Sequence, residues 1–379
     1  MLMNIRKTVL DLLCRAEKEK RFVNLSLSYA FPPNASSEDK GLLVALYYGA
    51  VEKRITLDYY ISAISGRSGD KIDSVTKNIL RIGLYQLIYM EKIPAFAAVN
   101  ESVKLARNKG EASFINGVLR GYERKKQEIS PPPKEKNLPR HLSVKYSFPV
   151  NVVKHFISEL GESEAEELLA EFCKIPPLSL RANTLKNTRD ELLEALKSQG
   201  INAEKNPLAP HGVLVLDKIS PTSLYGFSSG LFFVQDTASQ IQGEALGAKP
   251  GDLIIDVCAC PGGKSFGAAM KMENEGKILS LDIHNSKLGL IEEGAKRLSV
   301  GCIEAREHDS RNAIEEYIGK ADCVICDLPC SGLGVLAKKP DLRYREFNFD
   351  ELCELSSRIL ESSSLYVKEG ESFFSLPAR

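Results

Sequence analysis

From Asp252 onward the chain alternates short strand-like runs with helical stretches, and this rhythm restricts the fold more than any other feature. The strand-like runs are Leu253–Val257, Lys277–Leu281, Cys302–Glu307 and Cys323–Cys326. A regular strand–helix alternation predicts a doubly wound parallel sheet. In such a sheet ligands bind at the carboxyl ends of the strands, near the point where strand order reverses. Residues at the ends of these four runs are therefore the first places to look for chemistry.

The chain ahead of this region is organised differently. Leu80–Met90 is strongly apolar, with Ile79, Ile82, Leu84, Leu87 and Ile88 near helical spacing. It predicts a helix buried among others and ended by Pro94. Val99, Val103, Leu105 and Ala106 predict a second helix, and Phe114, Ile115, Val118 and Leu119 a short third one. No strand-like alternation stands out, so the first third reads as an all-α bundle. Ser130–Pro139 carries four prolines in ten residues. Such a run favours an extended linker and sets a domain boundary. Residues 140–235 read as α+β. Val152–Ile157 and Glu164–Phe172 are helical, Leu178–Asn183 and Val213–Leu216 are strands, and a helix over Thr188–Gln199 makes a small βαβ unit. The expected division is 1–128 helical, 129–139 linker, 140–235 α+β and 236–379 α/β.

Bulk properties set outer limits. A chain of 379 residues suits two or three domains. Hydrophobic residues at 43% and charged residues at 26% are ordinary for packed globular domains. No run of about 18 apolar residues occurs, so no membrane helix is expected. Arg6, Lys7 and Asp11 interrupt the apolar residues of Met1–Cys14, unlike a secretory signal, and a cytoplasmic location is the default. Seven of the nine cysteines lie between Cys258 and Cys353. An odd number without an export signal favours reduced thiols over a disulfide framework. The net charge is zero, but residues 1–126 hold 21 basic and 13 acidic side chains, a net of +8. A basic first third adds sequence-independent affinity for phosphates; a solvated helical surface with no partner is the plain alternative.

The chemistry-bearing motifs fall where the sheet predicts them. The first run leads into Asp256-Val-Cys-Ala-Cys-Pro-Gly-Gly-Lys264. Gly262 and Gly263 let the backbone approach a ligand closely. The second run ends next to Asp282, placed like an acid that accepts hydrogen bonds from a ribose. A glycine turn plus a later acid suits a nicotinamide dinucleotide as well as S-adenosylmethionine, but neither G-x-G-x-x-G nor a P-loop is present. The fourth run leads into Asp327-Leu-Pro-Cys-Ser-Gly-Leu-Gly334. Asp327 suits a nucleobase edge or a cofactor, and Cys330 suits a nucleophile where its thiolate is favoured. Cys323 and Cys326 read as packed strand residues. With Cys330 they suggest zinc, but no second pair or histidine set completes four ligands, and no metal is expected.

These motifs together resemble the RNA cytosine-C5 methyltransferases of the Sun/NSUN family, in particular the bacterial RsmB (Sun/Fmu) type. Asp256–Ser265 resembles the S-adenosylmethionine motif, and Gly230–Gln240 the segment leading into it. Asp327–Val335 with Lys339–Leu342 resembles the fourth motif. Asn100–Ala106 and Phe114–Arg120 resemble a NusB-like RNA-binding helical domain. The resemblance spans nearly the whole chain. It implies three parts: an all-α NusB-like bundle, a small α+β middle domain and a Rossmann-like α/β methyltransferase domain that is incomplete at its C-terminus.

The resemblance also implies roles. Cys258, Ala259, Cys260, Pro261, Gly262, Gly263 and Lys264 would cradle S-adenosyl-L-methionine, with Asp282 on its ribose and Asp309 near its adenine. Asp327 would lie between cofactor and cytosine and bond the base. In this family one cysteine attacks carbon 6 of cytosine and a second helps release the product; Cys330 matches the second. The substrate would be small-subunit (16S) ribosomal RNA or its precursor, with the target base unpaired or flipped out. A monomer is expected.

The chain departs from the family at its end. The attacking cysteine belongs to a strand ending in Ser-Thr-Cys-Ser/Thr, expected after a Lys368-Glu-Gly370 turn. Here the sequence reads Glu371-Ser-Phe-Phe-Ser-Leu-Pro-Ala-Arg379, and no cysteine follows Cys353. As written, the chain is therefore expected to lack its nucleophile and the last strands of its sheet. Ser375-Leu-Pro-Ala-Arg379 can be encoded as UCU CUA CCU GCA CGN. Shifted by two positions, the same bases read UCU ACC UGC ACG, or Ser-Thr-Cys-Thr, downstream of a U-rich Phe373-Phe374. A frameshift is the expectation, and the gene sequence over codons 365–379 tests it. Codons that give no Ser-Thr-Cys-Thr in another frame refute it. Two alternatives differ in class: an RNA-binding antitermination module, which has no use for the cofactor loop, and a dehydrogenase, which lacks its fingerprint here.

Overall fold

The computed structural model describes residues 4–19, 36–345 and 348–376. The chain forms two compact units, Met1–Ile175 with Leu333–Glu346, and Pro176–Gly332 with Phe347–Arg379.

The described part of the first unit is helical. It contains α1 (Ile5–Glu19), α2 (Ser37–Glu52), α3 (Arg54–Ser65), α4 (Ser74–Tyr89), α5 (Ala95–Val103) and α6 (Lys109–Lys125), then α7 (Leu138–Tyr146), α8 (Val150–Leu160) and α9 (Glu162–Glu171). Helix α4 is the centre of the first six. Asp73 caps it by accepting from the Thr76 N–H, and Ile79, Leu80, Ile82 and Leu84 are all fully buried. The helix ends at Tyr89, short of the expected stop at Pro94. Pro94 instead opens α5, where a missing N–H costs no intrahelical bond. Leu105 and Ala106 lie beyond the end of α5, and the expected short helix around Phe114 is 17 residues long. Pro139 is likewise in the first turn of α7 behind the Asn137 cap. Helices α7–α9 bury Leu142, Phe148, Val153 and Leu169 together with Leu336 and Leu342.

The second unit holds two sheets. The smaller is antiparallel, with β1 (Leu178–Ala182), β2 (Ala203–Lys205), β3 (Gly212–Val215) and β4 (Phe232–Val234) in the order β2-β3-β1-β4. The expected βαβ unit exists in split form: α10 (Arg189–Ser198) joins β1 to β2, and β3 lies between them antiparallel to both. The larger sheet is parallel, with β5 (Leu253–Asp256), β6 (Lys277–Asp282), β7 (Ile303–Glu307), β8 (Ala321–Asp327) and β9 (Val367–Leu376) in the order β7-β6-β5-β8-β9. Its helices are α12 (Gly263–Lys271), α13 (Asn285–Leu298) and α14 (Phe349–Ser364), preceded by α11 (Thr237–Ala245). Alternate strand residues feed two cores. Ile254 and Ile278 pack with Phe266 and Ile291, whereas Ile255, Leu279 and Val324 pack with Ile359 and Tyr366. Strand order reverses between β5 and β8, and this places a crevice at their carboxyl ends.

One sequence expectation is corrected here. Lys368–Gly370 is not a turn but the start of β9. The register jumps from Ala321↔Val367 to Cys323↔Ser372, and Gly370 takes φ 85°. Extra residues bulge out of the ladder, glycine supplies the positive φ, and Lys368 pairs with Asp322. The expectation for Glu371–Arg379 falls partly on residues 377–379, outside the described residues.

A charged cluster inside α4 went unread behind its apolar neighbours. Arg81 is buried, forks onto both oxygens of Asp58 at 2.7 Å, and donates to Asn78 at 2.8 Å and Glu17 at 2.5 Å. Removing one partner from such a cluster leaves uncompensated charge, here softened by the partial exposure of both carboxylates. Arg81→Met is expected to cost about 2–3 kcal/mol in urea unfolding of the full chain. A change below about 0.5 kcal/mol would show the pairs to be energetically neutral.

Candidate functional site

Strand β5 delivers Asp256 to the crevice, and the next six residues turn sharply into α12. The turn is stitched to both neighbouring strands. Val257 N–H donates to Ile325 O at 3.0 Å, and Ala259 N–H to Leu281 O at 2.9 Å. The Cys260–Pro261 peptide is cis, and Gly262 follows at φ 102°. A Cβ on Gly262 would lie 2.5 Å from the Phe266 ring, so the turn requires glycine for both conformation and space. The first amide groups of α12 have no intrahelical acceptor and carry the positive end of its dipole.

Asp256 is fully buried behind this turn. Its Oδ2 accepts from Ser265 Oγ at 2.7 Å, and Ser265 Oγ lies 2.8 Å from Ser280 Oγ. Burial pushes its carboxyl up to about 7, against the opposing hydrogen bond from Ser265 and the Lys264 charge. The same effect pushes Cys258 and Cys326 up to about 12, so neither is a thiolate at neutral pH.

A cleft of about 240 Å³ opens over the turn, lined by Cys258–Pro261, Gly263, Lys264, Asp256 and Asp327, with Val234, Gln235, Asp236 and Ser239 on its other side. Lys264 and Asp327 form an ion pair in it, which joins the ends of two different motifs. Asp282 ends β6 and accepts from His284 N–H at 2.9 Å; burial, and next the Asp282 charge, raise the Cys260 thiol. Asp309 is held by Arg311 through Nε at 2.9 Å to Oδ1 and Nη2 at 2.5 Å to Oδ2, and this pairing lowers its carboxyl to about 2. Neither Asp282 nor Asp309 lines the cleft. Cys330 is exposed on the loop after Asp327 and also stands outside the lining, whereas Cys323 and Cys326 pack inside the sheet.

Sequence reasoning left out Gln235, Asp236, Ser239 and Asp256 as site residues. The signal for the first three was the Gly230–Gln240 segment, which was read only as a lead-in. Asp256 opens its motif, but nothing in a linear sequence shows that a carboxyl is enclosed.

Comparison with known proteins gives the family. Family models for NusB, for the ferredoxin-like domain of RsmF/B-like methyltransferases and for 16S rRNA methyltransferase RsmB/F match residues 3–124, 148–221 and 244–374. The "Probable ribosomal RNA small subunit methyltransferase B" of Bacillus subtilis (strain 168) is 35% identical over 97% of this chain and 83% of its own length. The chain belongs to the RsmB/F methyltransferase family. A Synechocystis relative with the same description is 33% identical over 88% of this chain and 76% of its own length. The crystal structure of PH0851 shares the fold, with a TM-score of 0.78 at 22% identity over 98% of this chain and 85% of that one. Among the described residues no helix is long and apolar enough to cross a membrane.

In this RsmB/F chain the buried carboxyl of Asp256 has a thermodynamic consequence. An unfolded aspartate releases its proton near 3.9, whereas folded Asp256 keeps it to about 7. Between those values the folded state holds more protons, so this contribution to stability is complete below about pH 4 and is lost as the pH rises to about 7. Asp256→Asn is expected to remove up to one proton's worth of slope from urea-unfolding free energies measured between about pH 4 and pH 7. Equal slopes in the two proteins would mean that folded Asp256 is already ionised.

Proposed function

We propose that this chain carries the S-adenosylmethionine- and cytosine-binding parts of an RNA methyltransferase directed at carbon 5 of a cytosine in 16S ribosomal RNA, with no cysteine after Cys353 to attack the base. The observation that carries the reading is the cleft at the strand-order reversal, where the Gly262–Gly263 turn and the Asp327–Lys264 pair meet in a chain of the RsmB/F family. The residues fit the cofactor. Gly262 keeps the turn free of a side chain, the start of α12 offers unpaired amides to a carboxylate, and the acids at the strand ends accept from hydroxyl and amino groups. When bound, S-adenosylmethionine supplies a methyl group on a positively charged sulfur.

The chain's own residues are assigned as follows. Cys258–Lys264 hold the cofactor, Asp282 accepts from its ribose, and Asp309, kept ionised by Arg311, serves its adenine end. Asp327 accepts from the base edge of an unpaired or flipped cytosine. Lys264 holds the Asp327 carboxylate in place until the base arrives. Cys330, exposed behind Asp327, is assigned to product release. The basic helical domain at 1–128 and the α+β region at 140–235 add RNA contacts, with 129–139 as linker and 236–379 as methyltransferase domain. The family models at 3–124, 148–221 and 244–374 support this division.

Calorimetry of the full chain with S-adenosylmethionine tests the cofactor half: one site is expected, and Gly262→Val is expected to weaken it at least about tenfold, or about 1.4 kcal/mol. Trapping on 16S fragments that carry 5-azacytidine tests the roles of the thiols. A covalent adduct lost in Cys330→Ala moves the attack to Cys330 and overturns its assignment to product release. A chain that binds the RNA but no cofactor is a binding module, and the enzymatic reading fails.

A further inference from the structure

Gln235 occupies an unusual position on the wall of the cleft, because each of its polar groups already has a partner. Its backbone N–H donates to Ser179 O at 3.2 Å, and its backbone carbonyl accepts from Gln240 Nε2 at 3.0 Å. Its side-chain Nε2 donates to Gly263 O at 3.0 Å, and its Oε1 accepts from Arg181 Nη1 at 3.4 Å. The order of these partners matters. A guanidinium only donates, so Arg181 fixes which end of the amide is oxygen. The nitrogen is thereby turned toward Gly263; the reverse orientation would set two oxygens against each other.

Arg181 is itself held rigidly. It lies on β1 with its side chain almost wholly buried, and its Nη2 donates to Glu244 Oε1 at 2.7 Å. The guanidinium lies against the backbones of α11 and α12. A Cβ on Gly243 or on Gly267 would come within 3.0 Å of Nη1, so both helices carry glycine where they meet it. The relay therefore runs from the small sheet through one buried cation and one amide to the first peptide of α12. The carbonyl of Gly263 and the N–H of Lys264 belong to the same rigid peptide plane. Fixing the first therefore aims the second, one of the unpaired amides at the start of the helix.

We propose that Arg181 and Gln235 are positioning residues: together they set the polarity and direction of the Gly263–Lys264 peptide and so pre-organise the cofactor turn. Neither needs to touch the cofactor to act in this way. The inference rests on the cofactor reading above only for its effect on binding; its effect on the turn holds without any ligand.

The test uses Gln235→Met, Gln235→Glu, Arg181→Lys and the Gln235→Met/Arg181→Lys double variant in the full chain. Gln235→Glu keeps an acceptor for Arg181 but sets a carboxylate oxygen against Gly263 O in place of the donor, so it separates the bond to Gly263 from the bond to Arg181. All four are expected to speed hydrogen exchange in the ligand-free 262–268 segment at least about threefold, with thermal midpoints within a few degrees of the wild type. Each single variant is expected to raise the Kd for S-adenosylmethionine about tenfold, or about 1.4 kcal/mol. The double variant should be no weaker than Gln235→Met alone, because Arg181 acts through the amide. Unchanged exchange in Gln235→Glu, or multiplied losses in the double variant, overturns the relay. A wild type that binds no cofactor but shows the exchange pattern refutes the proposed function and leaves the relay standing.

Discussion

The hydrogen bond from Ser265 to the buried carboxyl of Asp256 is the tie on which the rest of the site depends. It joins the last residue of β5 to the first turn of α12 across nine positions of sequence. With that tie in place, the intervening residues have to turn sharply, and only a glycine at 262 lets them do so beside the Phe266 ring. The cleft is the space left above that turn. An enclosed carboxyl normally carries a large desolvation cost. Here the cost is limited because the group stays neutral to about 7 and shares a small hydroxyl network with Ser265 and Ser280.

Neutrality at Asp256 also shapes the field in the cleft. Below about pH 7 its floor holds a protonated acid, while Asp327 is paired with Lys264. The thiols of Cys258 and Cys326 follow the same logic. Burial and neighbouring carboxyls keep them protonated, whereas Cys330 stands on an exposed loop.

How much of this was legible in the sequence depends on the range of the forces involved. The parallel strands were legible because each is a local run of apolar residues, and their order puts Asp256, Asp282 and Asp327 at strand ends. The three-part fold followed from the same patterns together with the family resemblance. What escaped depended on contacts distant in sequence. Arg81 looked like a polar interruption in α4, and only folding brings Glu17 and Asp58 to it. Lys368–Gly370 looked like a turn because a glycine after charged residues usually is one; pairing with β8 makes it a bulge. Asp309 was expected near the adenine by resemblance alone, and only the fold shows that Arg311 two residues on holds it.

The small sheet shows the same limit and its functional consequence. Arg181 reads in the sequence as one charged residue in the strand Leu178–Asn183, where a strand facing solvent would place it outward. In the fold it points inward, and the reason is its partners: Glu244 supplies the countercharge, Gly243 and Gly267 supply the room, and Gln235 accepts from Nη1. A buried arginine that met only a countercharge could be replaced by apolar packing at little cost in stability. This one also dictates the orientation of an amide that bonds to the cofactor turn, and an apolar replacement could not do so. Its place in the fold is thus better explained by the geometry it imposes on Gly263 than by the stability it contributes.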